Sequence, residues 1–273
     1  MKRILTCLVA AVLLCAALFA LPGCAGNPYE GLIMIDLGLP QENFGIAFRT
    51  GSDMTRRVED ITKDLLTEGK FAPLCEKYAV APVDAAAYVP QADPCTASDD
   101  YATIRARGKL VIGITDYKPM NYKDENGKWI GFDTEYAEMV CERLGVTAEF
   151  RPIEWSSKEL ALKAETIDCI WNGMTITDAL EKAADCTVPY MTNTQVAVVR
   201  ADMADTYRDL AALRGKKLTA EDGSAGAALI KDDAALAAAF TPVEAQTDAL
   251  LAVAAGTADA AIVDMTLAKA LIG

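Results

Sequence analysis

The chain has 273 residues, enough for one large or two small domains with hydrophobic cores. Its formal net charge of −13 argues against nucleic acid and anionic membrane surfaces as partners. The sequence contains no His, so the commonest general base and the commonest metal ligand are both missing, and we expect neither a metal nor another cofactor.

Residues 1–23 are predicted to be a signal peptide. Lys2 and Arg3 precede the apolar run ILTCLVAAVLLCAALFAL, whose length approaches that of a membrane span, so a transmembrane anchor is the alternative interpretation. The small residue Gly23 before Cys24 favours cleavage. LPGC also resembles a bacterial lipobox. This resemblance implies that Cys24 is lipidated and that the protein is extracytoplasmic and anchored to the cell membrane as a lipoprotein.

An α/β unit follows near the start of the mature chain. The segments GLIMID and FGIAF each predict a strand, and a crossing loop lies between them. Residues 40–71 predict one strand, one turn and one long amphipathic helix. A unit of this kind usually closes an α/β protein, whereas here it stands at the beginning.

Residues 81–100 are rich in Ala, Pro, Ser and Asp and have no hydrophobic period, so they predict a linker. The cysteines beyond Cys24 form no CxxC pair, which argues against a zinc or redox motif. Cys141 and Cys169 lie in apolar segments and are expected to be core thiols. Outside the cell, a disulfide between Cys75 and Cys95 is possible.

Strands and helices alternate from residue 101 onward, and this alternation predicts parallel sheets built from βαβ units. The predicted strands are KLVIGIT, AEFRPI, DCIWN, QVAVVRA, KKLTAED and DAAIVD. The predicted helices include DTEYAEMVCERLG, SSKELALKA and QTDALLAVAAG. The last stretch, DAAIVDMTLAKALIG, stops as a helix begins, and the opening segment supplies the strands that would follow. Read tail to head, the two ends make one continuous α/β pattern.

Several segments resemble, in order, the extracytoplasmic amino-acid-binding proteins of ABC transporters, solute-binding protein family 3. They are GKLVIGITDYKPMNYKDENGKWIGFDTEYAEMVCERLGV, IEW, IDCIWNGMTIT, LRGKKLTAEDGS and ADAAIVD. The opening ENFGIAFRTGSDMTRRVEDITKDLLTEGKFAPLCEKYA is similar to the C-terminal block of that family. The chain therefore resembles a circularly permuted member, and a fusion of two truncated binding proteins is the alternative. Termini of compact domains are often close together, which permits such a permutation.

The resemblance implies an α/β fold with two doubly wound α/β lobes, joined by two crossing strands near QVAVVRA and ENFGIAF, and a ligand cleft between the lobes. The expected division is 1–23 signal peptide, 24–43 start of lobe two, 44–80 part of lobe one, 81–100 linker joining the ancestral termini, 101–200 main part of lobe one, and 201–273 main part of lobe two.

The implied function is that of a non-catalytic, monomeric receptor that delivers an amino acid or related small solute to an ABC permease in the membrane. Two alternatives stay open, since a fold alone does not fix function. One is a ligand-sensing module, although sensors usually carry a signalling domain. The other is a dehydratase-like enzyme, which without His would need a carboxylate or Lys as its acid–base group.

The resemblance also implies the positions of the residues that bind the polar ends of the ligand. Asp264 matches the acidic residue that pairs with the ligand ammonium, although an Asp before a helix can also be an ordinary N-cap. Gly173, with Asn172 beside it, matches a position that holds the ammonium or the carboxylate through the main chain. Thr175 and the turn of Ser224 and Ala225 match the carboxylate-binding positions, where helix capping is the alternative role.

Aromatic side chains are expected around the ligand side chain. Tyr117 and Trp155 match the rings that sandwich it in the family, and a half-buried core position is the alternative for each. Asp116 is a candidate for reading a polar or cationic group on the ligand. Trp171 is either a core residue or a wall of the pocket.

One position departs from the family pattern. Many members carry an Arg after GMTIT that forms a bidentate pair with the ligand carboxylate, whereas Leu180 stands there in this chain. Lys182, two residues on, would point to a different side of the helix. Either helix ends and a lysine hold the carboxylate, or the ligand is not a plain α-amino acid.

Overall fold

The computed structural model describes residues 26–81, 83–91 and 98–273. Cys24, the signal peptide and Cys95 lie outside these ranges, so neither lipidation nor a Cys75–Cys95 disulfide has a structural counterpart. Within the described ranges, no helix is both long enough and apolar enough to cross a membrane.

Strands and helices follow one another along the described chain much as the sequence predicts. The strands are β1 Leu32–Asp36, β2 Glu42–Phe48, β3 Lys109–Ile114, β4 Tyr122–Lys123, β5 Trp129–Ile130, β6 Thr147–Pro152, β7 Cys169–Thr175, β8 Asp185–Cys186, β9 Met191–Asn193, β10 Gln195–Arg200, β11 Leu218–Glu221, β12 Phe240–Val243 and β13 Ala260–Asp264. The α-helices are α1 Met54–Thr67, α2 Phe71–Tyr78, α3 Asp100–Arg107, α4 Phe132–Leu144, α5 Lys158–Lys163, α6 Asp178–Glu181, α7 Ala225–Asp232, α8 Ala234–Ala237, α9 Gln246–Ala254 and α10 Met265–Ile272. Trp155–Ser157 forms a 3₁₀ turn before α5.

The larger sheet has six strands. Its order is β6-β3-β7-β2-β8, and β9 also pairs with β2. The strands β6, β3 and β7 run parallel, which confirms the predicted βαβ arrangement, whereas β2 is antiparallel to its neighbours. Helices α1, α3, α4 and α5 pack on this sheet.

The second large sheet has five strands in the order β1-β10-β13-β11-β12. Strands β13, β11 and β12 are parallel, and β1 and β10 add an antiparallel edge. Helices α7, α9 and α10 pack on it. The fold is therefore mixed α/β with two separate large sheets, as the sequence predicts, and β4 pairs with β5 in a small two-stranded sheet.

The chain passes between the two sheets twice. The first passage joins β1 to β2, and the second lies at Thr194, between β9 and β10. Residues 195–200 belong to the five-stranded sheet. The sequence predicts them at the end of lobe one, so the change from one sheet to the other comes earlier in the chain than expected. Strands β2 and β10 are the crossing strands expected from ENFGIAF and QVAVVRA.

Alternation along the strands sorts side chains to the two faces of each sheet, because successive residues in a strand point to opposite sides. Leu110 and Ile112 of β3 join one buried cluster, and Val111 between them joins another. On β10, Val196 and Val198 face one cluster and Ala197 the other. Both faces of both sheets are thus covered, which is why these strands read as near-continuous apolar runs. Cys141 and Cys169 are buried thiols in the first cluster, as expected.

The expected linker, residues 81–100, has no helix or strand in its described part before Asp100, yet it packs closely against α1. Tyr88 is buried, and the Lys63 ammonium donates to its carbonyl at 2.9 Å. Glu59 on α1 is fully buried and accepts hydrogen bonds from the main-chain N–H groups of Gln91, at 2.8 Å, and Val188, at 2.9 Å. One carboxylate thus ties the linker to the segment that precedes β9.

Replacing Glu59 with Ala tests this anchoring role. The substitution leaves two partly buried N–H groups without their acceptor. Such a loss costs a fully buried group about 1–3 kcal/mol, and a partly buried group less. We expect the free energy of unfolding, measured by urea denaturation, to fall by about 1–3 kcal/mol. The matched control is Asp60→Ala, because Asp60 is exposed and its ion pair with Arg56, at 2.9 Å, is a surface i,i+4 pair worth about 0.5 kcal/mol or less. Equal stability of the two variants would contradict the role of Glu59.

Candidate functional site

A cavity of about 210 Å³ lies between the two sheets and is lined by residues from both. We call it the cleft cavity. Eight of the nine residues predicted to bind ligand line it. They are Tyr117, Trp155, Asn172, Gly173, Thr175, Ser224, Ala225 and Asp264.

Asp116 is the exception, and the structure places it outside the cleft cavity. Its side chain is exposed and lines a neighbouring groove that also contains Glu154 and Asp248. The chain turns directly after β3, and neighbouring residues point to opposite sides, so Tyr117 enters the cavity while Asp116 faces outward. Asp116 therefore does not line the cleft cavity, and its role in reading a polar or cationic ligand group stays a prediction.

Asp264 ends the central strand β13 at the cavity and is almost fully buried. Its Oδ1 accepts hydrogen bonds from the side-chain amides of Asn193, at 2.5 Å, and Gln195, at 2.7 Å. Its Oδ2 accepts one from Gln246 at 2.6 Å, and its own main-chain N–H donates to the Gln246 amide oxygen at 2.9 Å. Burial, followed by the negative charge of Glu42, raises the pKa of Asp264 to about 6, and the amide donors partly offset this rise.

Glu42 extends this network across the two passages between the sheets. It stands at the start of β2, and its carboxylate accepts hydrogen bonds from Gln195 at 2.9 Å and from the Thr175 hydroxyl at 3.1 Å. Asn193 of β9 and Gln195 of β10 flank the second passage at Thr194. Two of the three side chains that donate to Asp264 therefore come from the second crossing segment, and the third, Gln246, comes from the start of α9.

Glu221 is a second buried carboxyl group in the cleft cavity. It ends β11, which pairs in parallel with β13, so it lies at the same sheet edge as Asp264. Only 3% of the residue is exposed, and its Oε1 has no hydrogen-bond partner among the described residues. Burial raises the pKa of Glu221 to about 8, and the nearby charge of Asp264 adds to the rise.

Lys158, the first residue of α5, is the buried cation of the cleft cavity. Its ammonium donates to the main-chain carbonyl of Gly223 at 2.9 Å and lies 5.0 Å from the centre of the Trp155 ring. Gly223 has a φ of +76°, and a Cβ there would lie 2.6 Å from the Cα of Ser156. Only glycine permits this close approach, and it brings the loop after β11 against the loop before α5.

The aromatic residues fall into two groups. Tyr117 and Trp155 are buried side chains on the wall of the cleft cavity, and the Tyr117 hydroxyl has no hydrogen-bond partner among the described residues. Trp171 is instead fully buried in the core, where its ring packs edge-on against Tyr136 with the ring centres 4.6 Å apart. Of the two alternatives for Trp171, the structure supports the core position.

Asn172 and Gly173 lie where β7 bulges against β2. The Asn172 amide accepts from the Thr115 hydroxyl at 2.7 Å and donates to the Asn121 side chain, also at 2.7 Å, so its polar atoms bind the protein. Gly173 has a φ of +52°, and its N–H donates to Asp133 at 2.6 Å. Its main chain therefore offers a ligand only the carbonyl oxygen, which suits an ammonium and not a carboxylate.

The hydroxyl groups at the predicted carboxylate positions also have partners. Ser224 is the N-cap of α7, and its hydroxyl accepts from the N–H of Ala227 at 3.1 Å. Thr175 donates to Glu42, as described above. The N–H groups of Ala225 and Gly226, at the start of α7, lie in the first turn and lack intrahelical acceptors. Ser224 and Ala225 line the cleft cavity, so this helix start lies at the cavity, and a helix N-terminus favours an anion.

Leu180 is buried and lines the cleft cavity, so an apolar side chain takes the place expected of an arginine. Lys182 is exposed and does not line the cavity. The lysine that reaches the cavity is Lys158, from another helix. Sequence reasoning also missed Glu221, the last residue of β11, and Gln246, the first residue of α9. Each looks like an ordinary surface residue in its own segment.

A polar cavity that is enclosed between two α/β layers, with the chain crossing twice, defines a two-lobed binding protein of the type II periplasmic class. The arginine-bound form of a truncated ArgBP from T. maritima matches the structure with a TM-score of 0.60 and 31% identity, over 63% of this chain and 80% of that one. A histidine-bound substrate-binding protein of an ABC uptake transporter from Streptococcus pneumoniae matches with a TM-score of 0.59 and 28% identity, over 64% of this chain and 73% of the other.

The family follows from the sequence profile of the bacterial extracellular solute-binding proteins, family 3, which matches residues 110–270. This chain belongs to that family. An L-cystine-binding protein of Escherichia coli is 31% identical over 42% of this chain and 44% of its own length. An L-arginine-binding protein of Pseudomonas aeruginosa is 31% identical over 59% of this chain and 63% of its own length. The aligned part of the chain thus spans less than half of the cystine-binding relative.

Proposed function

We propose that the protein is a lipid-anchored, non-catalytic solute-binding protein that captures an amino acid or related small solute in the cleft cavity and delivers it to an ABC importer. The observation that carries this proposal is Asp264. It is a buried carboxylate on the cavity wall, and the side-chain amides of Asn193 and Gln195 at the second passage and of Gln246 at the start of α9 hold it in place. A buried carboxylate is costly unless it is paired, and an ammonium is its natural partner.

Each part of a free amino acid has a candidate partner in the cavity. Asp264 and the carbonyl of Gly173 would bind the ammonium. The helix start at Ser224 and Ala225, together with Lys158, would bind the carboxylate in the absence of the family's arginine. Tyr117 and Trp155 would hold the side chain between their rings.

The delivery step rests on closure of the two lobes around the solute, a hinge motion that a permease can read. The contacts of Lys158 and Ser156 with Gly223 join the two lobes across the mouth of the cavity. Family membership and the amino acids named for the relatives support an amino acid as the solute. Cys24 would tether lobe two, because residues 24–43 open that lobe.

We also propose that the chain is a circular permutation of the family's usual order. The profile match starts at residue 110, yet β1 and β2, which precede it, complete the two sheets. Strand β2 lies inside the six-stranded sheet, between β7 and β8, so the matched region alone lacks an interior strand. Residues 81–100 then join what were separate termini, and Glu59 holds that linker to the core.

The binding proposal is tested by thermal unfolding of the purified protein with a panel of amino acids. A solute that binds only the folded state adds about 2.7 kcal/mol of stability at a hundredfold excess over Kd. We expect at least one amino acid to raise the melting temperature, and Asp264→Asn to abolish that rise because the ammonium loses its charged partner. Asp202→Asn, an exposed site in the same lobe, should keep it. A panel without any shift, or an undiminished shift in Asp264→Asn, would contradict the proposal.

The permutation is tested by rebuilding the family's order, with residues 101–273 followed directly by 27–80. We expect this chain to melt cooperatively and to show the same ligand-induced shift as the natural order, because the lobes keep all their strands. Residues 101–273 alone should give no cooperative melt, since they lack β1 and β2. A rearranged chain that fails to fold, or a fragment that folds and binds, would contradict the permutation.

A further inference from the structure

The carboxyl group of Glu221 has no protein partner that would explain its burial. It lines the cleft cavity with 3% of the residue exposed, and its Oε1 has no hydrogen-bond partner within the described ranges. The neighbouring Asp264 accepts hydrogen bonds from three side-chain amides, so the two acidic residues differ in how far their hydrogen-bonding capacity is satisfied. A buried acceptor without a donor is rare in native structures and commonly marks a functional site.

The charges around Glu221 do not neutralise it. Lys158, from the opposite wall, lowers its pKa, whereas Asp264 and Asp248 raise it. The Lys158 ammonium is engaged by the carbonyl of Gly223 at 2.9 Å and by Glu159 at 3.3 Å. No ion pair to Glu221 forms among the residues that the structure describes. Among the described residues, Lys158 therefore does not compensate the burial of the Glu221 carboxyl group.

A second unpaired polar group faces the same space. The hydroxyl of Tyr117, which is 2% exposed, has no hydrogen-bond partner in the described chain, and it comes from the six-stranded side of the cavity. Burial raises the pKa of Tyr117 well above its usual range, the negative charge of Asp264 is the next cause, and the charge of Glu221 makes the smallest contribution. A ligand group with several N–H donors and a positive charge would satisfy both oxygens at once.

We propose that the solute carries a second cationic nitrogen group besides its ammonium, and that Glu221 binds this group together with the Tyr117 hydroxyl. The inference rests on the proposed function and narrows its substrate class to basic amino acids and small diamines. Leu180 is consistent with this class, because it replaces the arginine of many family members and so leaves no positive charge at that position of the cavity wall. In the empty protein, burial favours the neutral form of Glu221, and an incoming cation favours the charged form.

The test compares matched pairs of probes that differ in one positive charge: arginine with citrulline, lysine with norleucine, and putrescine with butylamine. Affinities for the purified full chain are measured by calorimetry at fixed pH and salt. We expect at least one cationic probe to bind roughly tenfold or more tightly than its neutral partner, since charge-assisted hydrogen bonds are the stronger ones. Glu221→Gln should bring that ratio close to one, and Tyr117→Phe should reduce it.

Asp222→Asn is the matched control. Asp222 is the next residue along the chain, but its exposed carboxylate pairs with Lys231 at 2.8 Å and does not line the cleft cavity. This variant should keep the wild-type ratio, and the melting temperature of each variant checks its fold.

The outcomes separate the inference from the proposed function. Neutral probes that bind the wild type as tightly as their cationic partners would overturn the inference and leave the solute-binding function in place. A folded Glu221→Gln variant that keeps the wild-type ratio would overturn the role of Glu221. A wild type that binds no probe of any pair, and no other amino acid, would overturn the proposed function itself.

Discussion

The structure depends on the removal of two acidic side chains from water at one edge of the five-stranded sheet. Asp264 and Glu221 end the neighbouring parallel strands β13 and β11, where the crevice of an open α/β sheet lies. Desolvation raises the pKa of both carboxyl groups, to about 6 and about 8. The fold compensates Asp264 with amide donors, whereas Oε1 of Glu221 has no donor among the described residues, which is the basis of the proposal that a cationic ligand group binds there.

The same network links the binding site to the passages between the sheets. Asn193 and Gln195 donate to Asp264 from either side of Thr194, and Glu42 accepts from Gln195 at the start of β2. A rotation of one lobe against the other must pass through these residues. Under the proposed function, these hydrogen bonds would couple occupation of the cavity to the relative position of the lobes.

Much of the fold follows from the sequence, because alternation and apolar runs report burial directly. The strand at 109–114 and the helix at 246–254 lie where the pattern predicts them. Most of the candidate site came from the family resemblance. The resemblance did not indicate that Asp116 lies outside the cleft cavity, because one turn decides which of two neighbouring side chains enters it. Glu221 and Lys158 could not be predicted. Each looks like an ordinary surface charge in its own segment, and only the packing of two distant loops buries them together.

The most direct test of this account is the number of protons released when the tightest-binding solute occupies the cavity. It is measured calorimetrically at pH 7 in buffers of different ionisation enthalpy. Glu221 is mostly protonated in the empty protein and becomes ionised against the bound cation, so about one proton should be released per solute, and none in Glu221→Gln. Binding without proton release in the wild type would contradict the claim that a desolvated carboxyl group awaits a positive charge.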